Sequence, residues 1–399
     1  MPFRGVSRME QRAAFVAAAR EEGANLRSLC RAFGISRTTG YKWLCRAAAG
    51  EGGLADRSRR PHCSPRRTAC EVEAVVIGVR GEHPSWGGRK IHHFLRLEGY
   101  AAAPHPNTVT DILRRHGLID PVEAAKHRPF IRFEHDAPNR LWQMDFKGHF
   151  AVGRRRCHPL TVVDDHSRYA VVLEAMWNER RVGVMAALTA AFRSYGLPER
   201  MLMDNGPPWG TDSEHRHTRL TAWLMRLDIR PGHGKPRHPQ TQGKNERFNR
   251  TLKAEVLRQR FEALAAVQAA FDQWRQLYNE HRPHEALGHL PPAHRFRPSE
   301  RPFPERLPPI EYPAGLEVRR VQIDGRISFA GRSWFISRAF GGHPVALQPT
   351  DRDGLLDVLF CRFKVAKINL AQGPREPLPQ HGRRHSNPGN HRDAAGVGF

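Results

Sequence analysis

The sequence predicts a multidomain protein that is all-α at its amino end, α/β in its middle and all-β near its carboxyl end. Three observations predict this. Apolar residues recur at spacings of three and four through the first 118 residues. Short β-branched and aromatic runs begin at Asn139 and then alternate with a helical pattern. Strand-like runs separated by Gly or Asp turns fill 315–370. A length of 399 residues allows roughly two to four domains, each able to bury an ordinary core.

The chain carries 64 Lys plus Arg against 40 Asp plus Glu, a net charge of +24, and all but 9 of the basic residues are arginine. A guanidinium grips phosphate through a rigid fork of donors, and neutralised phosphates release counterions, so this surplus implies a polyanionic partner. Six cysteines (Cys30, Cys45, Cys63, Cys70, Cys157 and Cys361) form no CxxC pair and no regular spacing, which argues against a disulfide framework or a zinc site. No signal peptide, no apolar run near the roughly 18 residues of a membrane span and no amphipathic anchor are visible. The expectation is a cytoplasmic protein with no membrane partner.

Residues 1–50 read as three short helices. The second carries Leu26, Leu29, Cys30 and Phe33 at helical spacing before a Gly34-Ile35-Ser36 turn, and Ser36 suits the N-cap of the third. That third helix presents Arg37, Thr38, Thr39, Tyr41 and Lys42 in its first turns, where a helix-turn-helix unit sets side chains against base edges and phosphates. Residues 51–68 form a basic linker punctuated by Gly and Pro, and residues 1–70 hold 14 Lys or Arg against 5 Asp or Glu. Residues 69–118 repeat the logic as a second helix-turn-helix-like unit, with helices over 70–82, 88–98 and 106–116. Two linked readers would recognise a longer DNA site than either alone. Pro121, Pro129 and Pro138 make 119–138 an extended connector.

From 139 to 300 the character is α/β. LWQMDF reads as a strand, TVVDDHSRYAVVLEAM as a hairpin turning at DDHSR, 179–195 as a helix, and RMLMDNG as a strand ending at Asp204. Asp145 sits in an apolar run, where an ionised carboxylate is costly unless something such as a metal compensates it. Asp204 precedes Asn205-Gly206, a turn signal that lifts it to the edge of the sheet, where active sites often lie. Glu246 opens a helix to about 258 whose buried stripe is Phe248, Leu252 and Val256, so it points away from the core and shares a face with Asn249, Arg250 and Lys253. A carboxylate among phosphate-binding groups suits a metal-assisted phosphoryl reaction. The pair Asp164-Asp165 reads instead as part of a hairpin turn.

The blocks LWQMDFKG, DNGPPWG and HPQTQGKNERFNRTLKAE resemble the signature blocks of insertion-sequence transposases with a retroviral-integrase-type core, and YNEHRPHEALG with PPAHRF resembles the block that closes that core. The resemblance spans about 10–300 and is most specific over 139–296. It implies a ribonuclease-H-like catalytic core, with Asp145, Asp204 and Glu246 as a catalytic, metal-binding triad holding two Mg²⁺, for which Mn²⁺ could substitute. Lys253 matches a position that approaches DNA. The interval from Asp204 to Glu246 is longer than this superfamily's usual one, and the extra residues fall between 212 and 237. With two metals about 4 Å apart, one would activate the attacking water or 3′-hydroxyl and the other would stabilise the departing oxygen.

Lys147, on the strand face of Asp145, is a further candidate phosphate contact. His238, Gln240 and Lys244, in and just after the loop before Glu246, are also candidate DNA contacts. The absence of GxSxG and of GxxxxGK[ST] excludes a serine-hydrolase elbow and a P-loop, so ATP is not implied. A helix over 262–281 closes the core. A Pro-rich linker (301–314) leads to 315–370, read as five strands forming a small β-barrel, and 371–399 has a disorder-type composition. The sequence therefore points to a DNA transposase acting on the terminal repeats of its element and on target DNA, as a homo-oligomer on the bacterial nucleoid. The alternatives are a non-catalytic DNA-binding regulator and another nuclease of the same fold.

Overall fold

A computed structural model describes residues 7–50, 53–56, 67–120, 134–204, 209, 217–234 and 243–374. The chain divides into two units, 1–68 and 69–399.

In the first unit, α1 (Arg8–Ala19), α2 (Leu26–Ala32) and α3 (Arg37–Ala48) are each started by a polar cap. Ser7 and Glu10 close a capping box on α1, and Ser36 Oγ accepts the Thr39 N–H at 3.1 Å. The Ser36 cap and the turn before it thus hold as predicted, whereas the Ser7 and Asn25 caps were not foreseen. Phe15, Val16, Cys30 and Trp43 make the small core. At Gly40 a Cβ would stand 2.7 Å from Cys30 Sγ and 3.0 Å from the Phe15 ring, so only glycine lets α3 pack this closely on α1 and α2.

The second unit begins with α4 (Cys70–Glu82), α5 (Gly88–Leu97) and α6 (Pro106–Arg115), which bury Val76, Trp86, Ile91, Leu95, Val109, Ile112 and Leu113. A mixed sheet follows: β1 (Trp142–Phe146), β2 (Phe150–Val152), β3 (Arg155–Asp164), β4 (Ala170–Met176), β5 (Arg200–Met203) and β6 (Arg230–His233), in the order β2-β3-β1-β5-β6 with β4 also on β3. β1, β5 and β6 are parallel, and β3 is antiparallel to β1, β2 and β4.

The alternation of β1 sorts its side chains onto two faces. Trp142 and Met144 join the core beneath α7 (Arg181–Tyr195) and α8 (Arg219–Arg226). Gln143 and Asp145 therefore face the other side, covered by α9 (Gly243–Glu255) and α10 (Leu264–Gln276). A π-helical turn (Leu277–His281) ends α10, and its buried Asn279 clamps the Ala170 backbone, accepting its N–H at 2.8 Å and donating to its carbonyl at 3.1 Å. The hairpin at DDHSR and the helix after it are as expected, whereas β2 and β6 are strands the sequence reading did not foresee.

The carboxyl-terminal β domain corrects an expectation. Its strands, β7 (Glu317–Arg320), β8 (Arg326–Phe329), β9 (Arg332–Phe335), β10 (Pro344–Pro349), β11 (Leu355–Phe360) and β12 (Phe363–Asn369), form an open four-stranded sheet, β12-β11-β10-β7, and a separate β8-β9 hairpin, not a closed barrel. No ladder joins β12 to β7 among the described residues. RISFAGRSWFIS, read as one strand, turns at Ala330-Gly331, both at positive φ, and becomes two. The apolar side of the sheet is closed by packing instead: Ala222 and Met225 of α8 enter its core.

Candidate active site

The parallel register of β1 and β5 brings two of the three expected carboxylates together. Trp142 pairs with Met201 and Gln143 with Leu202. Carried two residues further, the same offset sets Asp145 beside Asp204 at the carboxyl ends of adjacent strands, which lie about 4.8 Å apart. Asp204 is exposed, and its carbonyl contacts His233 Nδ1 at 3.0 Å, which ties the end of β5 to the end of β6.

Asp145 is partly buried and is held from two sides. Thr161 Oγ1 lies 3.1 Å from the Asp145 carbonyl and 3.1 Å from Asn245 Oδ1, and Asn249 Nδ2 donates to Asp145 Oδ2 at 3.1 Å. Burial and then the charge of Asp204 push the Asp145 carboxyl up to about 7. The Asn249 amide and the Phe146 N–H oppose this rise, and Glu246 adds to it. The three carboxylates therefore share one electrostatic neighbourhood, and a cation there would relieve the strain on Asp145. Among the described residues, however, no group of three or more His, Cys, Asp or Glu side chains stands close enough to hold a metal ion. The set fits a cation in charge and chemistry but is not gathered into a closed cage.

The basic residues divide. Arg250 and Lys253 are exposed on α9, on the side of Glu246. Lys147 is half-buried, and its ammonium is lowered by burial and then by the facing charge of Lys253, with Asp145 opposing. Two lysines thus flank the carboxylates. Lys244 does not face outward as expected: it pairs with the buried Asp165, which also accepts Gln143 Nε2 at 2.7 Å. Asn249 is likewise corrected from a DNA-facing position, since it is 8% exposed and committed to Asp145. Asn245 and Asn249 sit one turn apart beside the Phe248–Leu252 stripe, and that spacing was the available signal for a polar pair turned toward β1. His238 and Gln240 lie outside the described residues.

In the first unit, Arg37, Thr38, Tyr41 and Lys42 are exposed on α3, and Thr39 is half-buried with its hydroxyl 2.9 Å from Ser36 Oγ. One group of functional weight escaped the sequence reading. Glu255, at the end of α9, accepts Ser85 Oγ at 2.6 Å, Trp274 Nε1 at 2.9 Å and Arg282 Nη2 at 3.1 Å, with both ionic side chains under a tenth exposed. It ties the second helical unit and α10 to the helix that carries Glu246.

Comparison with known proteins matches the integrase core domain over residues 135–239 and again over 227–292, and the carboxyl-terminal domain of IS481 family transposases over 316–375. The amino-terminal region matches a helix-turn-helix domain over 11–62 and a homeodomain-like domain over 39–113. The chain belongs to the insertion-sequence transposases with an integrase-type core. It is 29% identical over 229 residues to a protein of insertion element IS407 from Burkholderia multivorans, a match covering 56% of this chain and 79% of that one. It is 28% identical over 258 residues to a protein of insertion element IS476 from Xanthomonas euvesicatoria, covering 62% and 70%. A chain of the simian T-cell lymphotropic virus intasome aligns over 76% of this chain and 100% of its own, at 16% identity and a TM-score of 0.37. An integrase core belongs to enzymes of the polynucleotidyl-transferase type, and the amino-terminal domains are DNA-binding modules. Among the described residues no helix is long and apolar enough to cross a membrane.

Proposed function

We propose that this chain is the transposase of its own mobile element, cleaving phosphodiesters at the element's ends and joining the freed 3′-hydroxyls to target DNA. The observation that carries the reading is the register that sets Asp145 beside Asp204 on the face covered by the helix of Glu246. Asp145, Asp204 and Glu246 are the residues that would hold divalent cations, Mg²⁺ in the first instance. Two such ions, when bound, supply activation of the attacking oxygen and charge neutralisation at the departing one.

The protein's own groups bind and orient. Asn249 fixes the rotamer of Asp145 through its amide. Lys147 and Lys253 flank the carboxylates and counter the charge of a phosphodiester drawn among them. Hydrolysis forms a new P–O bond from water and breaks the bond to the 3′-oxygen, which leaves as a hydroxyl. Joining uses that hydroxyl against a target phosphodiester, whose own 3′-oxygen departs. No protein side chain becomes covalently attached. The helical units would bring the terminal repeats to this site as a homo-oligomer assembled on DNA.

Purified protein mixed with duplexes carrying the sequences that flank its gene should nick them in Mg²⁺, and Asp145→Asn should bind them without nicking. The helix-turn-helix units alone would also satisfy a second reading, a regulator that binds DNA and does no chemistry. Wild-type binding without nicking would support that reading and overturn the first.

A further inference from the structure

The sheet has two ends of opposite chemical character. Its carboxylates lie at the carboxyl ends of β1 and β5. At the amino ends of the three parallel strands stand arginines: Arg140 just before β1, Arg200 opening β5 and Arg230 opening β6. Arg200 and Arg230 are register partners on adjacent strands. Like charges in directly paired positions are destabilising. Both side chains are exposed, and among the described residues neither makes a salt bridge.

A cleft of about 410 Å³ opens here, lined by Arg200, Arg230, Arg301 and Arg362 with Glu199 and Asp228. Both carboxylates are already engaged by arginine, Glu199 by Arg140 and Asp228 by Arg362. Arg301 is preset by the chain itself: it donates to the carbonyls of Pro198 at 2.9 Å, Leu227 at 3.0 Å and Asp228 at 3.0 Å. That leaves two of its five N–H groups for a ligand. A guanidinium already held in place loses little freedom when it binds.

We propose that this arginine cleft, between the amino ends of β1, β5 and β6 and the β11-β12 turn, is a second contact site for the phosphodiester backbone of duplex DNA, remote from the carboxylates. Phosphate is the chemistry that satisfies closely spaced guanidiniums, two of them without a carboxylate partner. Arg200 and Asp204 are four residues apart on one strand, about 13 Å. A DNA strand advances about 3.4 Å per phosphate. DNA leaving the carboxylate end therefore reaches the arginine end within about four nucleotides. That the phosphates belong to duplex DNA rests on the reading given above. That the cleft takes phosphate rests on the arginines alone. Contact through backbone phosphates carries no sequence preference.

The test measures the salt dependence of binding by the full chain to a fluorescent duplex of arbitrary sequence. Each phosphate contact contributes about 0.9 to the slope of log affinity against log salt. Arg200→Gln/Arg230→Gln should flatten that slope by up to about 2, whereas Arg200→Lys/Arg230→Lys, which keeps the charges, should leave it near the wild-type value. Asp228→Asn provides a variant of opposite sign. Asp228 has φ 59°, a conformation asparagine accepts readily, so the fold is preserved while a negative charge leaves the cleft. Binding should tighten several-fold. An unchanged slope in the double glutamine variant, or unchanged affinity in Asp228→Asn, would overturn the proposal, and an acidic protein partner would produce the same null result. The measurement uses no metal and no cleavage. A chain that shows these slope changes but never nicks DNA would sink the catalytic reading while leaving this one standing.

Discussion

Replacing Glu255 with alanine should destabilise the second unit severely. The carboxylate is under a tenth exposed and receives Ser85, Trp274 and the Arg282 guanidinium. Its removal strands Arg282, itself under a tenth exposed, and leaves the Trp274 and Ser85 donors unmatched. Breaking a buried pair from one side costs about 3–5 kcal/mol. At about 2 °C per kcal/mol, as suits a large cooperative unit, the melting temperature should fall by roughly 6–10 °C.

The pH dependence has a definite sign. Burial alone would raise the Glu255 carboxyl, but the charge of Arg282 and the hydrogen bonds outweigh it, so the group titrates below its ordinary value. Its stabilisation is present above the unfolded pKa of about 4.3 and is lost as pH falls through the lowered folded value. The gap between wild type and Glu255→Ala should therefore narrow in acid. Calorimetry on Glu255→Ala, Arg282→Met and Glu255→Met/Arg282→Met tests the reasoning, because an apolar pair of similar volume should recover most of the loss. A single variant within about 1 kcal/mol of wild type, or a double variant whose loss is the sum of the singles, would refute it.

Other expectations follow from single contacts. Gly40→Ala should destabilise the first unit by about 1–3 kcal/mol through the clash with Cys30 and Phe15, and weaken DNA binding with it, as seen in thermal melts and gel shifts. Lys90 is partly buried, and its ammonium is pushed down to about 7 by desolvation and then by Arg282. The folded state thus binds fewer protons than the unfolded one between about pH 7 and 10, and stability rises with pH there. Lys90→Met should stabilise the protein by up to about 4 kcal/mol near pH 6, with the gain shrinking toward pH 10, and a gain independent of pH would contradict this. Asn249→Ala frees the Asp145 carboxyl from its amide, and nicking should drop about 10–100-fold with DNA affinity retained, measured in single-turnover assays.

Most elements were legible in the sequence because local signals agreed with the tertiary outcome. Ser36 caps its helix as a lone serine before a basic helix should. The separation of Asp145 from Asp204 equals the register offset of β1 and β5, so the two carboxylates that only the family resemblance had paired fall beside one another on adjacent strands. What was not legible depends on long-range packing. β6 has the sequence RPGH, with no β-branched residue, and is a strand only because β5 offers it a partner. Asn249 looked solvent-facing on a helical wheel, but packing of α9 against β1 and β3 turns it inward. Lys244 looked like a phosphate ligand because its partner, Asp165, is 79 residues away. Barrel closure depends on whether two edge strands meet, and here α8 covers the sheet in place of a closing ladder.

The central claim is that one site built from Asp145, Asp204 and Glu246 performs the chemistry. The most direct measurement is single-turnover nicking and joining of element-end DNA in Mg²⁺ by Asp145→Asn, Asp204→Asn and Glu246→Gln, with DNA affinity measured in parallel. The account predicts that each variant binds DNA as wild type does and loses more than about a hundredfold in both reactions. Wild-type rates in any one of the three would contradict it.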